Sequence, residues 1–309
     1  MQIKAADDKR PDIDRLEALS ARPDIDPPTR RRIETEIRTL SAGIKGERDA
    51  AYEIEFYFGA SRNWMTIHDL RLEHEGRVAQ IDHLIINRVL QIWVCESKHY
   101  SDSVEINSQG EWTRTYRGQR YGVDSPIEQN GKHVDVLDKV LRSGAVTLPH
   151  RVVTMRPELR NLILISNNAV IKRPRGKATD IEPVIKAERL KTEVFDTFDD
   201  RIHTMVARLV SSETIEKLAQ DLVALHRPIA VDWASRFGVG SARGNADAPP
   251  SAEKRRGAPD DPSGRACGNC GCPTTFAEVA FCRYNSRRFR GGTYCRACQA
   301  IVTAEWSLS

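Results

Sequence analysis

Apolar positions along this chain repeat with two different periods, and the change of period marks its elements. After the Pro27-Pro28 break, Ile33, Ile37 and Leu40 recur at helical spacing among charged neighbours, which predicts a helical arm over residues 1–41. Over residues 42–58, Ile44, Glu47, Ala51, Ile54 and Phe58 fall at steps of three and four, one face of an amphipathic helix. Three runs, 64–70, 79–87 and 90–98, then read as strands. Asn87-Arg88 forms a tight turn that pairs the last two as a hairpin. Short strands are predicted at 104–106 and 112–116. Ser125-Pro126-Ile127-Glu128 supplies an N-cap, a first-turn proline and a capping-box glutamate to a helix that continues through Val134, Leu137, Val140 and Leu141. Residues 159–165, LRNLILI, read as a buried strand. The order helix, three strands, helix, strand predicts an α/β (α+β) core over residues 42–166.

Beyond it, residues 167–239 read as a helical or mixed extension packed on that core. Helices are predicted at 201–210 and 212–226, the latter with Ile215, Leu218, Leu222 and Leu225 on one face. Residues 240–266 are dominated by Gly, Pro, Ala, Ser and charge, a composition that buries little apolar surface and predicts a flexible linker. Residues 267–309 form a separate small domain.

No run of eighteen apolar residues occurs, and no apolar segment follows the charges at the N-terminus. Neither a membrane span nor a secretory signal is expected, and the cytoplasm is the expected compartment. A net charge of +4 is mild for 309 residues and does not by itself mark a nucleic-acid binder. Its distribution is more telling, because Arg283, Arg287, Arg288 and Arg290 crowd the C-terminal end among Phe281, Tyr284, Phe289 and Tyr294. Arginines interleaved with aromatic rings suit phosphate contact and base stacking, as they also suit a solvated basic hairpin.

Cysteine usage is equally uneven. Cys95 stands alone in the first 266 residues, and the other six of the seven cysteines fall between 267 and 298. Cys267-x-x-Cys270 and Cys295-x-x-Cys298 have the spacing of paired knuckles for tetrahedral, structural Zn²⁺, with Cys272 and Cys282 as nearby alternatives. A segment of this size builds little core, so zinc would supply folding free energy, on the order of 10–16 kcal/mol in zinc-finger peptides.

A second chemistry interrupts the apolar strands. Glu96 and Lys98 are two apart and share one side of a strand, while Asp82 in the neighbouring strand can lie beside them. Two carboxylates form a hard-oxygen site for Mg²⁺ or Mn²⁺, and a lysine beside it can orient water or stabilise charge on a phosphate. The same spacing also fits an ordinary ion pair. Glu47, on an otherwise apolar helical face, is either paired or functional there, or favoured by the helix dipole.

Taken together, Gly43-Ile44-Lys45-Gly46-Glu47, Gln80-Ile81-Asp82-His83, Glu96-Ser97-Lys98-His99-Tyr100, Trp112 and Ser125-Pro126-Ile127-Glu128-Gln129 with His133 resemble the NERD family, the nuclease-related domain of the PD-(D/E)xK nuclease superfamily. The resemblance runs from Gly43 to Ile165. It implies a restriction-endonuclease-like αβββαβ core, with Asp82 and Glu96 as metal ligands, Lys98 as the catalytic lysine, Glu47 as the acidic residue of the first helix, and Gln129 as a supporting residue of the second. With the motif complete, the leading expectation is a Mg²⁺- or Mn²⁺-dependent nuclease acting on DNA, and the C-terminal cysteine pairs, which look like the zinc ribbons of DNA-processing proteins, are expected to add nucleic-acid binding. The competing expectation is a non-catalytic nucleic-acid-binding or adaptor protein on the same fold.

Overall fold

The computed structural model describes residues 1–174, 181, 183–199, 208–239, 262–284, 289 and 292–301. The chain divides into two compact units, Met1–Ala242 and Arg243–Ser309.

In the first unit a short strand, β1 (Gln2–Lys4), and two helices, α1 (Arg10–Ser20) and α2 (Pro27–Ile54), precede three long strands. These are β2 (Trp64–His74), β3 (Arg77–Asn87) and β4 (Gln91–Lys98). A smaller group follows, β5 (Ser103–Ile106), β6 (Trp112–Tyr116) and β7 (Gln119–Val123), and then helix α3 (Pro126–Arg142) and strand β8 (Glu158–Ile165). The unit continues with β9 (Val170–Lys172), β10 (Val184–Lys186), α4 (Leu190–Asp199), α5 (Ser212–Ala224) and α6 (Trp233–Arg236). The expected helix, three strands, helix, strand order is present as α2, β2, β3, β4, α3 and β8.

The main sheet has the order β1-β2-β3-β4-β8-β10. β2, β3 and β4 are antiparallel neighbours, while β8 lies parallel to β4 and β10 parallel to β8. Helices cover both faces. Val136, Leu137, Val140 and Leu141 of α3 join Ile215, Leu218 and Leu222 of α5 over one face, against Leu84, Ile86, Ile92 and Val94. Ala50 and Ile54 of α2 cover the other with Leu190 and Val194 of α4, against Ile85, Trp93, Leu162 and Leu164. β8 also sends Ile163 and Ile165 towards the second sheet, which has the order β7-β6-β5-β9. A strand covered on both sides explains the unbroken apolar run LILI.

The segment expected as a purely helical arm differs in two respects. Residues 2–4 pair with β2 and extend the main sheet. α2 also runs without a break across residues 41 and 42, so arm and core helix are one element. Asp26 caps it by accepting the Thr29 N–H at 3.0 Å, and the two prolines occupy its first turn. The α-helical stretch stops before Phe58, because Glu55–Gly59 forms a π-helical turn. That turn seats Phe58 in the core beside Trp64, ring centroids 4.7 Å apart. The C-terminal extension touches the arm as well: Trp233 of α6 is buried among Leu16, Leu19 and Ile33, and its indole N–H donates to Asp12 at 2.8 Å. Residues 201–207, part of a predicted helix, lie outside the described residues.

In the second unit the stretch between the cysteine pairs, which as a basic segment also suited a solvated hairpin, begins as a helix. Of the predicted linker, residues 240–261 lie outside the described residues, but Pro262–Ala266 forms a strand, β11, antiparallel to β12 (Pro273–Thr275). Between the cysteine pairs the chain forms helix α7 (Phe276–Tyr284), and α8 (Arg296–Ile301) carries Cys298. Phe276, Ala277, Val279, Ala280 and Phe281 suit a helix better than an alternating strand. Among the described residues, no helix of the chain is long and apolar enough to cross a membrane.

Two glycines of α2 separate packing from propensity. A Cβ on Gly46 would stand 2.8 Å from the Cβ of His99, whereas one on Gly43 would meet nothing within 4 Å. Gly46→Ala is therefore expected to push α2 off the end of β4 and cost about 1–3 kcal/mol. Gly43→Ala is expected to add about 0.4–1 kcal/mol by restricting the unfolded chain. Urea denaturation of both variants checks this, and equal effects would contradict the close approach.

Candidate functional site

Strand pairing sets the geometry of the site. β3 and β4 pair from Ile86–Ile92 as far as His83–Cys95 and then separate, one step before Asp82 would face Glu96. β4 stays paired to β8 through Lys98 on its other edge, so Glu96, Ser97 and Lys98 remain in a rigid strand beside an opening. Asp82 fills that opening: its Oδ2 accepts both the backbone N–H and the hydroxyl of Ser97 at 2.8 Å. A backbone donor freed by strand divergence thus acquires a charged acceptor.

Asp69 contributes to the divergence. It has φ +53°, unusual for a non-glycine residue, and the inward alternation of β2 shifts by one there, with Met65 and Ile67 before it and Leu70 and Leu72 after it in the same core. β3 shows the matching shift, with Ala79 and Ile81 before Asp82 and Leu84 and Ile86 after it. A strict two-residue period cannot continue through this point.

The residues singled out in the sequence converge in one open cleft of about 910 Å³, lined by Glu47, Asp82, Glu96 and Lys98 among others. Lys98 Nζ donates to Glu96 Oε1 at 2.6 Å and to Gln129 Oε1 at 3.2 Å. Gln129 is thereby tied to the lysine through α3. His133, one turn further on, stands 3.6 Å from Glu96 Oε2, beyond hydrogen-bonding range. Glu96 is 3% exposed, and its Oε2 is buried without a hydrogen-bond partner. His83 is elsewhere, with its Nδ1 2.8 Å from that of His68, whose Nε2 lies 2.9 Å from Glu55. Burial holds the His83 imidazole well below its ordinary value, and the charges of His68 and Lys9 lower it further.

Two further residues belong to the site that periodicity did not single out. Lys9, ahead of α1, donates to Glu47 at 2.6 Å and lies 3.5 Å from Asp69. Its only signal in the sequence was a lysine within the charged run DDKR, and contacts across 38 and 60 residues are not encoded in local spacing.

Among the described residues, Glu47, Asp69, Asp82 and Glu96 thus face two ammonium groups, Lys9 and Lys98. Burial raises the Glu96 carboxyl to about 7, the charge of Asp82 adds to that, and Lys98 opposes it. Burial likewise raises Asp82 against the hydrogen bonds from Ser97, and raises Glu47, which Asp82 pushes further up and Lys9 pulls down. An unpartnered carboxylate oxygen among acids that resist ionisation is a donor set that suits a hard divalent cation.

Residues 42–156 match the family model described as the nuclease-related domain, NERD. Over these residues the chain is similar to that domain. Glu47, Asp82, Glu96, Lys98 and Gln129 all fall inside the match, whereas Lys9 and β8 lie outside it. Comparison with curated proteins and with solved structures returned no match.

In the C-terminal unit a second cluster forms. Ligand atoms of Cys267, Cys270, Cys272 and Cys295 lie within 4.8 Å of one another and could hold a metal ion such as zinc. Cys272 thus stands in the compact set where spacing alone had put Cys298. Cys298 is a buried neighbour whose sulfur accepts from Asn269 Nδ2 at 3.3 Å. Cys270 and Cys295 sulfurs are 3.7 Å apart, close to the roughly 3.8 Å that tetrahedral Zn–S bonds of about 2.3 Å require. The first turn is a knuckle: Gly271, at φ +72°, donates its N–H to Cys267 O at 2.9 Å. Cys282 lies apart in α7, its sulfur accepting the Tyr294 N–H at 3.3 Å. Arg283 is exposed at the end of α7, while Arg287, Arg288 and Arg290 lie outside the described residues. Cys95 is fully buried beside Trp93 and Leu164, as a core residue.

The raised Glu96 carboxyl has a thermodynamic sign. Between its ordinary value of 4.5 and about 7 the folded chain retains a proton that the unfolded chain releases, so this group makes stability fall as pH rises through that window. In chelator, Glu96→Gln is expected to melt above the unsubstituted chain at pH 8, with the gap closing at pH 4.5. Thermal melts across that range check it, and a variant that is less stable at pH 8 would contradict the electrostatic account.

Proposed function

We propose that the NERD domain of this chain is a Mg²⁺- or Mn²⁺-dependent deoxyribonuclease. The observation carrying this reading is the buried, unpartnered Glu96 Oε2 beside Asp82 and Glu47, on the same cleft floor as Lys98. Asp82 and Glu96 are the metal ligands, and Glu47 lies close enough to assist. A cation held there supplies Lewis-acid chemistry, polarising a phosphoryl oxygen and acidifying a water.

The chain's own groups account for the rest. Ser97 fixes Asp82 through two hydrogen bonds, so the carboxylate keeps its aim without reorganisation. Glu96 and Gln129 hold the Lys98 ammonium, a positive charge for the phosphate as water attacks phosphorus and the P–O ester bond breaks. Gln129 acts through Lys98 and is a positioning residue. Lys9 offsets part of the negative charge of Glu47 and Asp69, as Lys98 offsets that of Glu96, and the site keeps more carboxylates than ammonium groups.

In the C-terminal unit, Cys267, Cys270 and Cys295 hold a structural Zn²⁺, with Cys272 or Cys298 as the fourth ligand. Four thiolates close the coordination shell, which suits a folding role. Arg283, Arg287, Arg288 and Arg290 supply phosphate contacts to DNA. The protein is expected to act in the cytoplasm.

Purified chain incubated with single-stranded, duplex and branched DNA and RNA tests this reading. Cleavage of DNA is expected with Mg²⁺ or Mn²⁺, falling by about 10²–10³ in kcat for Lys98→Ala, the size of losing one transition-state charge donor, and further for Asp82→Ala. The same preparation should contain one zinc per chain. Turnover unaffected by Asp82→Ala sinks the assignment, and salt-sensitive binding without cleavage favours the non-catalytic binder.

A further inference from the structure

The cleft has an acidic floor but cationic and aromatic walls, and the reading of its floor as a phosphodiesterase centre leaves those walls without a role. One wall is α2, with Thr35, Arg38 and Thr39 along the rim. The other is the β6–β7 hairpin, which contributes Arg114, Tyr116 and Arg117. Among the described residues, none of Arg38, Arg114 and Arg117 pairs with a carboxylate side chain, whereas Arg120 on the same hairpin is tied to Glu105 at 3.1 Å. On this hairpin, among the described residues, the arginines at the cleft are the ones without a carboxylate side-chain partner.

The hairpin is built to hold them there. Trp112 is buried at its base among Val104, Ile106 and Tyr100. At its tip Arg117 and Gly118 both have positive φ, +49° and +74°, the two-residue turn that ordinarily takes Asn-Gly. An arginine at the first position is the costlier choice, and Asp102 holds the turn by accepting the Arg117 N–H at 2.9 Å. The Arg117 guanidinium lies over the Tyr116 ring, 5.3 Å from its centroid, and Arg114 lies 5.6 Å from that of Tyr121. Both rings remain nearly half exposed, Tyr116 at 44% and Tyr121 at 46%.

We infer that this hairpin and α2 grip single-stranded nucleic acid and lead it across the carboxylate floor. The inference rests on the phosphodiesterase reading of the floor. Exposed rings beside guanidinium groups offer stacking surfaces for bases, and base faces are available only where a strand is unpaired. Unpaired arginines match phosphates, which an acidic floor alone would repel. The track continues past the cleft: Thr35 also lines the adjoining hollow with Arg31, Arg32 and Arg236, and the one acid there, Glu36, is paired with Arg236 at 3.0 Å. A strand leaving over Thr35 therefore meets further cations.

Fluorescence anisotropy with a labelled twelve-nucleotide oligo(dT) and a blunt hairpin duplex tests the walls, using the full chain carrying Asp82→Ala so that cutting does not intervene. Adding Tyr116→Ala is expected to weaken oligo(dT) binding about tenfold, while Tyr116→Phe stays within about twofold. Arg114→Ala with Arg117→Ala is expected to lower the salt slope of oligo(dT) binding by about 1.4, at about 0.7 per lost phosphate contact. Duplex binding should be unchanged in all of them, and thermal melts confirm that these exposed substitutions leave the fold intact. Equal losses on duplex and oligo(dT), a Tyr116→Phe loss as large as that of Tyr116→Ala, or an unchanged salt slope each overturns the inference. Binding as expected in a chain that never cleaves overturns the hydrolase reading alone, and cleavage with unaltered binding in the wall variants overturns the walls alone.

Discussion

Like charges withdrawn from water repel one another and lose hydration together, and that cost organises this molecule around the end of β4. Glu96 is almost wholly buried with one oxygen unpartnered, Asp82 and Glu47 lie near enough to raise its proton affinity, and Asp82 also raises that of Glu47. The chain meets only part of the cost. Ser97 serves Asp82, Lys98 serves Glu96, and Lys9 serves Glu47 and Asp69. A fold that leaves such a remainder trades stability for binding capacity.

Much of the remaining architecture maintains this arrangement. α3 and α5 cover one face of the sheet and α2 the other, so the separation of β3 from β4 occurs between rigid layers. β8 keeps β4 straight where β3 leaves it. Gly46 lets α2 approach His99 closely, one residue before Glu47, which lines the cleft. Asn130, next to Gln129, is buried and donates to Val94 O at 2.7 Å and to Asn161 at 2.8 Å, which locks α3 to β4 and β8 and so fixes the partner of Lys98.

The sequence carried the core order and the acidic residues because both follow from short-range patterns. Glu96 and Lys98 share a strand face by period, and the cap at Ser125 marks where α3 begins, its hydroxyl accepting the Glu128 N–H at 3.4 Å. Lys9 and Asp69 were not legible: the first acts across 38 residues, and the second matters through a backbone angle that no periodicity records. β1, β9 and β10, three residues each, are too short to show alternation. The arm and the core helix read as two segments from two sets of apolar positions, but α2 is one helix 28 residues long and packed at both ends. In the C-terminal unit the cysteine spacings located a metal-type cluster, yet the two-residue turn from Cys270 brought Cys272 into the compact set, a choice that spacing had left open.

The central claim is that the unsatisfied carboxylates bind a divalent cation, and calorimetric titration of the zinc-loaded chain with Mn²⁺ tests it most directly. Saturable binding is expected that strengthens from pH 6 to pH 8 as Glu96 releases its proton, is abolished by Asp82→Asn and survives Arg114→Ala. Absence of binding at pH 8, or binding that persists unchanged in Asp82→Asn, would contradict the account.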